Sequence, residues 1–208
     1  MKLRPLPRTF YLRSALAVAR DLPGLYLCRR SGGMVMTGRI VEVEAYLGKK
    51  DPASHAFRGK TERNSVMFRE GGCLYVYFTY GMHFCANVVT GPSGSASAVL
   101  LRALEPVNGI ERMVTQRFGT RIRRGASVPA KTIRSATNGP AKLCQALGIG
   151  RKENGEDLCG ETIWIAEGPG DRGILLRSAR IGITRGTGHR WRFFLKGNKF
   201  VSPGKPVE

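Results

Sequence analysis

The sequence predicts a mixed α/β fold: a single domain with a curved, mainly antiparallel sheet, surrounding helices and a protruding β-hairpin. Three observations lead there. Two pairs of apolar, β-branched or aromatic runs are joined by short turns at Gly32-Gly33 and Thr79-Tyr80-Gly81, as antiparallel neighbours are. Helical patterns are few and short. The 208 residues, 42% apolar and 24% charged, have the size and balance of one globular unit, so residues 1–208 are read as one domain.

Taken in order, Leu12–Leu22 reads as a helix stopped by Pro23-Gly24. Gly24–Arg30 and Met34–Tyr46 read as strands. From Gly48 to Gly72 the text is polar and rich in turn formers, a long loop of the kind that usually carries function. Leu74–Phe78 and Met82–Val89 are the strands of a hairpin; Ala96–Leu104 is another strand and Asn108–Phe118 a helix. Arg121–Thr137 reads as a basic loop. Pro140–Leu147 starts a short helix closed by Gly148. Thr162–Ala166, Ser178–Ile183 and Arg192–Lys196 complete the strands.

Charge narrows the function. The chain carries 34 Lys and Arg against 15 Asp and Glu, a net charge of +19 spread over both halves. Arg112–Lys152 holds ten basic residues and no acidic one. Phosphate neutralisation supplies most nucleic-acid affinity, so such a surface suits a binder of DNA or RNA. A solvated basic face or an anionic membrane surface is the alternative. No apolar run approaches the roughly 18 residues of a membrane helix.

The five cysteines (Cys28, Cys73, Cys85, Cys144, Cys159) are odd in number, widely spaced and without a C-x-x-C pair, which argues against a disulfide framework and a zinc site alike. Buried free thiols in a reducing compartment are expected. The short apolar stretch around Ala15–Ala19, flanked by Arg13 and Arg20, makes a poor signal peptide. The expected location is cytoplasmic, at a bacterial nucleoid, or nuclear, and not secreted.

Three strings could carry chemistry. In Ile40–Tyr46, strand alternation puts Ile40, Glu42, Glu44 and Tyr46 on one face and Val41, Val43 and Ala45 on the other. A strand carboxylate can be a general base, with its aromatic neighbour walling a pocket. The bland alternative is a surface strand whose glutamates pair with arginines. In Leu74–Met82, four of nine residues are aromatic, with Tyr75 and Tyr77 on one face and Tyr80 at a turn. Such rings can stack on bases or wedge into a duplex, or simply fill a tyrosine-rich core. Ser54-His55 and Arg63-Asn64 lie in the long loop. Asn87 and Arg102 interrupt apolar strands, where a polar group needs a partner; Glu44 is a candidate partner for Arg102.

Together these strings resemble the alkyladenine (3-methyladenine) DNA glycosylase family. The matching text is Gly38–Gly48 (GRIVEVEAYLG), Ser54-His55, Arg63-Asn64, Met67-Phe68, Leu74–Asn87 (LYVYFTYGMHFCAN), Val99–Pro106 (VLLRALEP) and Gly139–Cys144 (GPAKLC). The likeness runs over residues 10 to 203. His83 stands where relatives often carry another aromatic, and Phe78-Thr79 differs from their common aliphatic pair.

The resemblance implies a monofunctional enzyme that flips a damaged purine from double-stranded DNA and hydrolyses its N-glycosidic bond, leaving an abasic site. It implies that Tyr80 fills the vacated stack, and that the base lies between Tyr46 on one side and His55 with Tyr77 on the other. It implies that Glu44 activates a water held also by Arg102 and a backbone carbonyl near Ile181, and that Asn87 opposes the 2-amino group of normal guanine. Substrates would be of the 3-methyladenine type, with hypoxanthine and ethenoadenine as further candidates. No cofactor and no metal are expected, no membrane partner, and a monomer. A non-catalytic nucleic-acid-binding module of the same fold and a nucleoside glycosidase are the competing readings.

Overall fold

In this computed structural model, which describes residues 3–204 apart from 124 and 126, eight strands form one sheet. They are β1 (Tyr26–Ser31), β2 (Met34–Tyr46), β3 (Leu74–Thr79), β4 (His83–Thr90), β5 (Ser97–Asn108), β6 (Ile163–Ala166), β7 (Leu175–Ser178) and β8 (Arg192–Leu195). The order is β3-β4-β5-β2-β1-β6, with β8 joining β2 and β7 pairing β8. Every pairing among these strands is antiparallel.

β2 is the spine. Its 13 residues outrun any single neighbour on one edge, so β1 takes Met34–Arg39 and β8 takes Glu42–Glu44, while β5 runs along the other edge. The Glu42–Tyr46 half of β2 therefore meets β5, β8 and the segment leading into β8.

The helices are α1 (Arg8–Tyr11), α2 (Ala15–Asp21), α3 (Ile110–Phe118), α4 (Ala130–Thr137) and α5 (Pro140–Leu147). α2 starts where Ser14 Oγ accepts the Ala17 amide at 3.3 Å, and Pro23 prevents its continuation. α5 opens with Pro140 and ends at a left-handed Gly148. Val18 of α2, Leu22 at its C-cap, Met113 of α3 and Leu143 of α5 are buried in one cluster with Ile40, Val43, Ala45, Val99 and Leu101 of the sheet. Each of these Val, Leu, Ile and Met side chains contributes about 1.5–3 kcal/mol of burial, which commits that sheet face to the core. Chemistry is left to the other face.

Three expectations need correction. Ala130–Thr137 lies inside the stretch read as a basic loop, yet it is α4. Its Thr, Ile and Ser residues are weak helix formers, and it buries only Ala136 and Thr137; the Thr137 hydroxyl donates to the Leu104 carbonyl at 2.7 Å. Ser178–Ile183 is not a strand: β7 ends at Ser178, and the chain then turns inward, with the Arg180 side chain and Ile181 amide bonding to β2 residues.

The third correction concerns the face of β2. Ile40 pairs with Leu104 and Glu42 with Ala103, so Val41 is an extra residue on β2; Val43 then pairs with Leu101, leaving Arg102 extra on β5. These bulges move Ile40 to the core face with Val43 and Ala45, while Val41 joins Ala103 and Leu195 in a separate cluster. Glu42, Glu44 and Tyr46 keep a common face, and the strand is buried rather than solvent-facing.

Candidate active site

Arg102 owes its place to the second bulge, since a residue skipped by the ladder can be re-aimed. Its side chain lies between the two glutamates of β2, Nε donating to Glu42 at 2.9 Å and Nη1 3.3 Å from Glu44. Both carboxylates are fully buried, but their surroundings differ. Glu42 accepts from Arg102 Nε at 2.9 Å, Arg192 Nε at 2.6 Å, the Ser202 amide at 2.6 Å and the Ser202 hydroxyl at 2.9 Å. Three of these donors converge on Oε1 and the Ser202 amide takes Oε2, four donors against the about four lone-pair sites of an ionised carboxylate.

Glu44 has only two hydrogen bonds, from the Ile181 amide at 2.7 Å and from the Tyr46 hydroxyl at 3.0 Å, besides its contact with Arg102. One acceptor site remains. Burial alone would raise both carboxyls. For Glu42 the guanidiniums of Arg102 and Arg192 overcome it and hold the group below the usual carboxylate range. For Glu44 burial prevails over Arg102, the Ile181 amide and Tyr46, and the group is pushed up.

Tyr46 links this pair to a cavity of about 200 Å³ lined by Tyr46, His55, Tyr75, Tyr77, Tyr80 and Asn87. His55 reaches it from the long loop, which turns at Gly48: φ is +57° there and a Cβ would stand 2.6 Å from the Ser95 carbonyl, so only glycine fits. The His55 ring meets Tyr77 edge-on at 4.4 Å between centroids, and its Nδ1 is 3.1 Å from the Tyr75 hydroxyl. Asn64 holds the loop by donating to the His55 carbonyl at 2.9 Å. Packing against these rings, with Arg63 nearby, pushes the imidazole pKa down and favours the neutral form. Burial drives the three phenols the other way, Tyr75 up to about 12. Asn87 Nδ2 donates to the Tyr75 carbonyl at 3.2 Å, and the residue lines the cavity.

Thr79 pairs with His83 across the hairpin, and Tyr80 and Gly81 take φ of 51° and 67° in the turn between them. Positive φ at both central residues matches the right-handed twist of the strands. Tyr80 is 84% exposed at this tip although its ring also borders the cavity mouth. Met82 and Phe78 flank it, also exposed.

The structure thus brings together Glu44, Arg102, Tyr46, His55, Tyr77, Tyr80 and Asn87. Ile181 lies beside Glu44, its amide nitrogen donating to the carboxylate at 2.7 Å, and its neighbours Gly182 and Ile183 line the cavity. Sequence reasoning missed Tyr75 as a site residue, although its shared face with Tyr77 was a usable signal. It also missed Arg180, whose guanidinium lies 4.6 Å from the Tyr46 ring centroid and which no local pattern marks. All five cysteines are free, four buried and Cys159 half-buried. A larger groove of about 950 Å³ lies under Leu3–Pro7 against Tyr26 and Trp164, and it contains none of the expected site residues. No helix among the described residues is long and apolar enough to cross a membrane.

The family model described as methylpurine-DNA glycosylase matches residues 9–199, and the chain belongs to that family of DNA N-glycosylase enzymes. A protein of Carboxydothermus hydrogenoformans provisionally named 3-methyladenine DNA glycosylase is 50% identical over 199 residues, covering 95% of this chain and 98% of its own. Proteins given the same provisional name in Burkholderia lata and Chlorobaculum tepidum are 46% and 44% identical, covering 95% and 98% of this chain and 90% and 93% of theirs.

Proposed function

We propose that this DNA glycosylase removes damaged purines of the 3-methyladenine type from duplex DNA, with Glu44 as the base that activates the attacking water. The observation that carries the reading is the contact of Glu44, which keeps an open acceptor site, with the hydroxyl of Tyr46, whose ring walls the aromatic cavity. At about 200 Å³ the cavity lies below the roughly 300–1,000 Å³ of drug-sized pockets and suits one planar heterocycle.

The sequence of events follows from the chemistry. Backbone phosphates meet the basic surface, and the damaged nucleotide leaves the stack at a cost of a few kcal/mol, less where damage has weakened its pairing. Tyr80 enters the gap. The purine passes between Tyr46 and the His55–Tyr77 pair. An alkylated purine is cationic, and electron-rich phenol faces attract it, while a neutral imidazole adds no opposing charge. Asn87 meets the base edge and disfavours the 2-amino group of guanine. Water bound at the free acceptor site of Glu44, near Arg102 and Ile181, loses its proton to the carboxylate as it attacks C1′. The oxocarbenium-like charge at C1′ is stabilised by the same carboxylate. The purine departs with the bonding electrons, and the sugar gains the hydroxyl. Among the described residues no lysine lines the cavity, so those residues offer no amine for a Schiff base and strand cleavage.

The test is incubation with methylated duplex DNA and chromatography of the supernatant. Free methylpurines are expected from the wild type. Glu44→Gln is expected to release them about 10²–10⁴-fold more slowly while still binding the duplex. Duplex binding with no released base in the wild type would favour the non-catalytic module.

A further inference from the structure

We infer that Arg180 is a positioning residue for catalysis, fixing the Tyr46 ring and the Ile181 amide against Glu44 from behind the pocket wall. Its side chain is fully buried. Nη1 donates to the Ala45 carbonyl at 3.0 Å, Nη2 and Nη1 pair with the two carboxylate oxygens of Asp51 at 2.9 and 2.5 Å, and Nη2 is 3.4 Å from the Gly186 carbonyl. The guanidinium plane is enclosed by rings on two sides, 4.6 Å from Tyr46 and 5.0 Å from Trp191, and Trp191 in turn stacks on His189 at 3.9 Å. Arg180 Nε is buried with no partner.

A buried ion pair is weak support for stability, since an apolar replacement is often equally stable. What this pair specifies is geometry. Asp51 also accepts from the Leu47 and Ala53 amides at 3.3 and 3.1 Å, and its carbonyl accepts from the Ser54 amide at 2.9 Å, so it governs the turn that delivers His55. One planar fork therefore joins three pieces of the site: the end of β2 with Tyr46, the loop before His55, and residue 181. Lysine keeps the charge but loses the flat face and the second row of donors.

The inference rests on the reading of Glu44 as the base, and it predicts a pH signature. Glu44 is faced by Arg102, by the Tyr46 hydroxyl and the Ile181 amide, by Glu42 on its own strand with Arg192 beyond it, and by Tyr77 across the cavity. Loosening residue 181 withdraws one donor from the ionised carboxylate, so the Glu44 pKa rises. The acid limb of the rate then moves to higher pH.

The experiment compares wild type, Arg180→Lys and Trp191→Leu in single-turnover release of methylpurines across pH, with affinity for undamaged duplex measured in parallel. A misplacement of about 1 Å can cost about 10²-fold. Arg180→Lys is expected to slow release about tenfold or more and to shift the acid limb upward, with duplex affinity unchanged. Trp191→Leu, which keeps the Asp51 pair, is expected to act in the same direction by about threefold, and it decides the matter if Arg180→Lys fails to fold. A folded variant with unchanged rate and limb overturns the inference, as does a slower one whose limb has not moved. Failure of the parent reading is separate: it would appear as Glu44→Gln releasing base at the wild-type rate.

Discussion

Glu42 and Glu44 stand two residues apart on one strand, on one face, equally buried, and yet their surroundings give them opposite properties. Four donors from β5, β8 and the segment at Ser202 meet Glu42 and hold it ionised. Glu44 instead bonds Tyr46, whose side chain lines the cavity, and its donors are the Tyr46 hydroxyl and the Ile181 amide, with one edge of Arg102 beside them. Donor count, not burial, separates the anchor Glu42 from Glu44, the proposed base. Glu42 fixes Arg102, and Arg102 faces Glu44 without neutralising it completely.

Substitutions should break this contrast in order of size. Glu42→Gln leaves Arg102 and Arg192 buried against a neutral amide, and removal of one member of a buried ion cluster costs about 3–5 kcal/mol. A large drop in melting temperature at neutral pH is expected, with loss of release as a secondary effect. The sign with pH follows from linkage. The Glu42 pKa is lowered in the fold, so its stabilisation is present above the ordinary carboxylate pKa and disappears as pH falls through the folded value.

Tyr80→Ala sharpens the contrast from outside, because Tyr80 is exposed and touches neither carboxylate. Binding of lesion duplex is expected to weaken by about 1–3 kcal/mol, the worth of one stacking contact, with no change in melting temperature. Equal affinity in titrations of the two proteins would remove the wedge. The smallest effect falls on stability at Glu44. Its pKa is raised, so the ionised form is disfavoured in the fold, and stability is lost as pH rises through the folded value. Glu44→Gln should therefore leave the neutral-pH melting temperature unchanged or slightly higher, within about 1 kcal/mol. Calorimetry of the two Gln variants side by side shows whether the glutamates really differ.

Much of this was legible in the residues. β2 and α5 have the boundaries their patterns suggest, because Pro140, Gly148 and the alternation of Glu42, Glu44 and Tyr46 act locally. The cavity residues Tyr46, His55, Tyr77 and Asn87 were recognisable as a set through motif resemblance and spacing. What escaped depends on distant contacts. The bulges at Val41 and Arg102 arise from the pairing of β2 with β5, and they reassigned Ile40. α4 forms from weak helix formers where the chain covers β5. Residues 179–183 look like a strand because Ile181 and Ile183 alternate, yet Arg180 leaves that pattern for Asp51, 129 residues away in sequence. The inward turn at Ile181, and with it the second donor to Glu44, could not be seen before the fold was known.

The most direct test of the account is the pH dependence of single-turnover methylpurine release, with spontaneous depurination subtracted, for wild type and Glu44→Gln. A one-proton acid limb is expected in the wild type, centred above the ordinary carboxylate pKa of about 4.3, and no such limb in the residual activity of the variant. A limb centred at or below that ordinary value, or one that persists unchanged in Glu44→Gln, would contradict it.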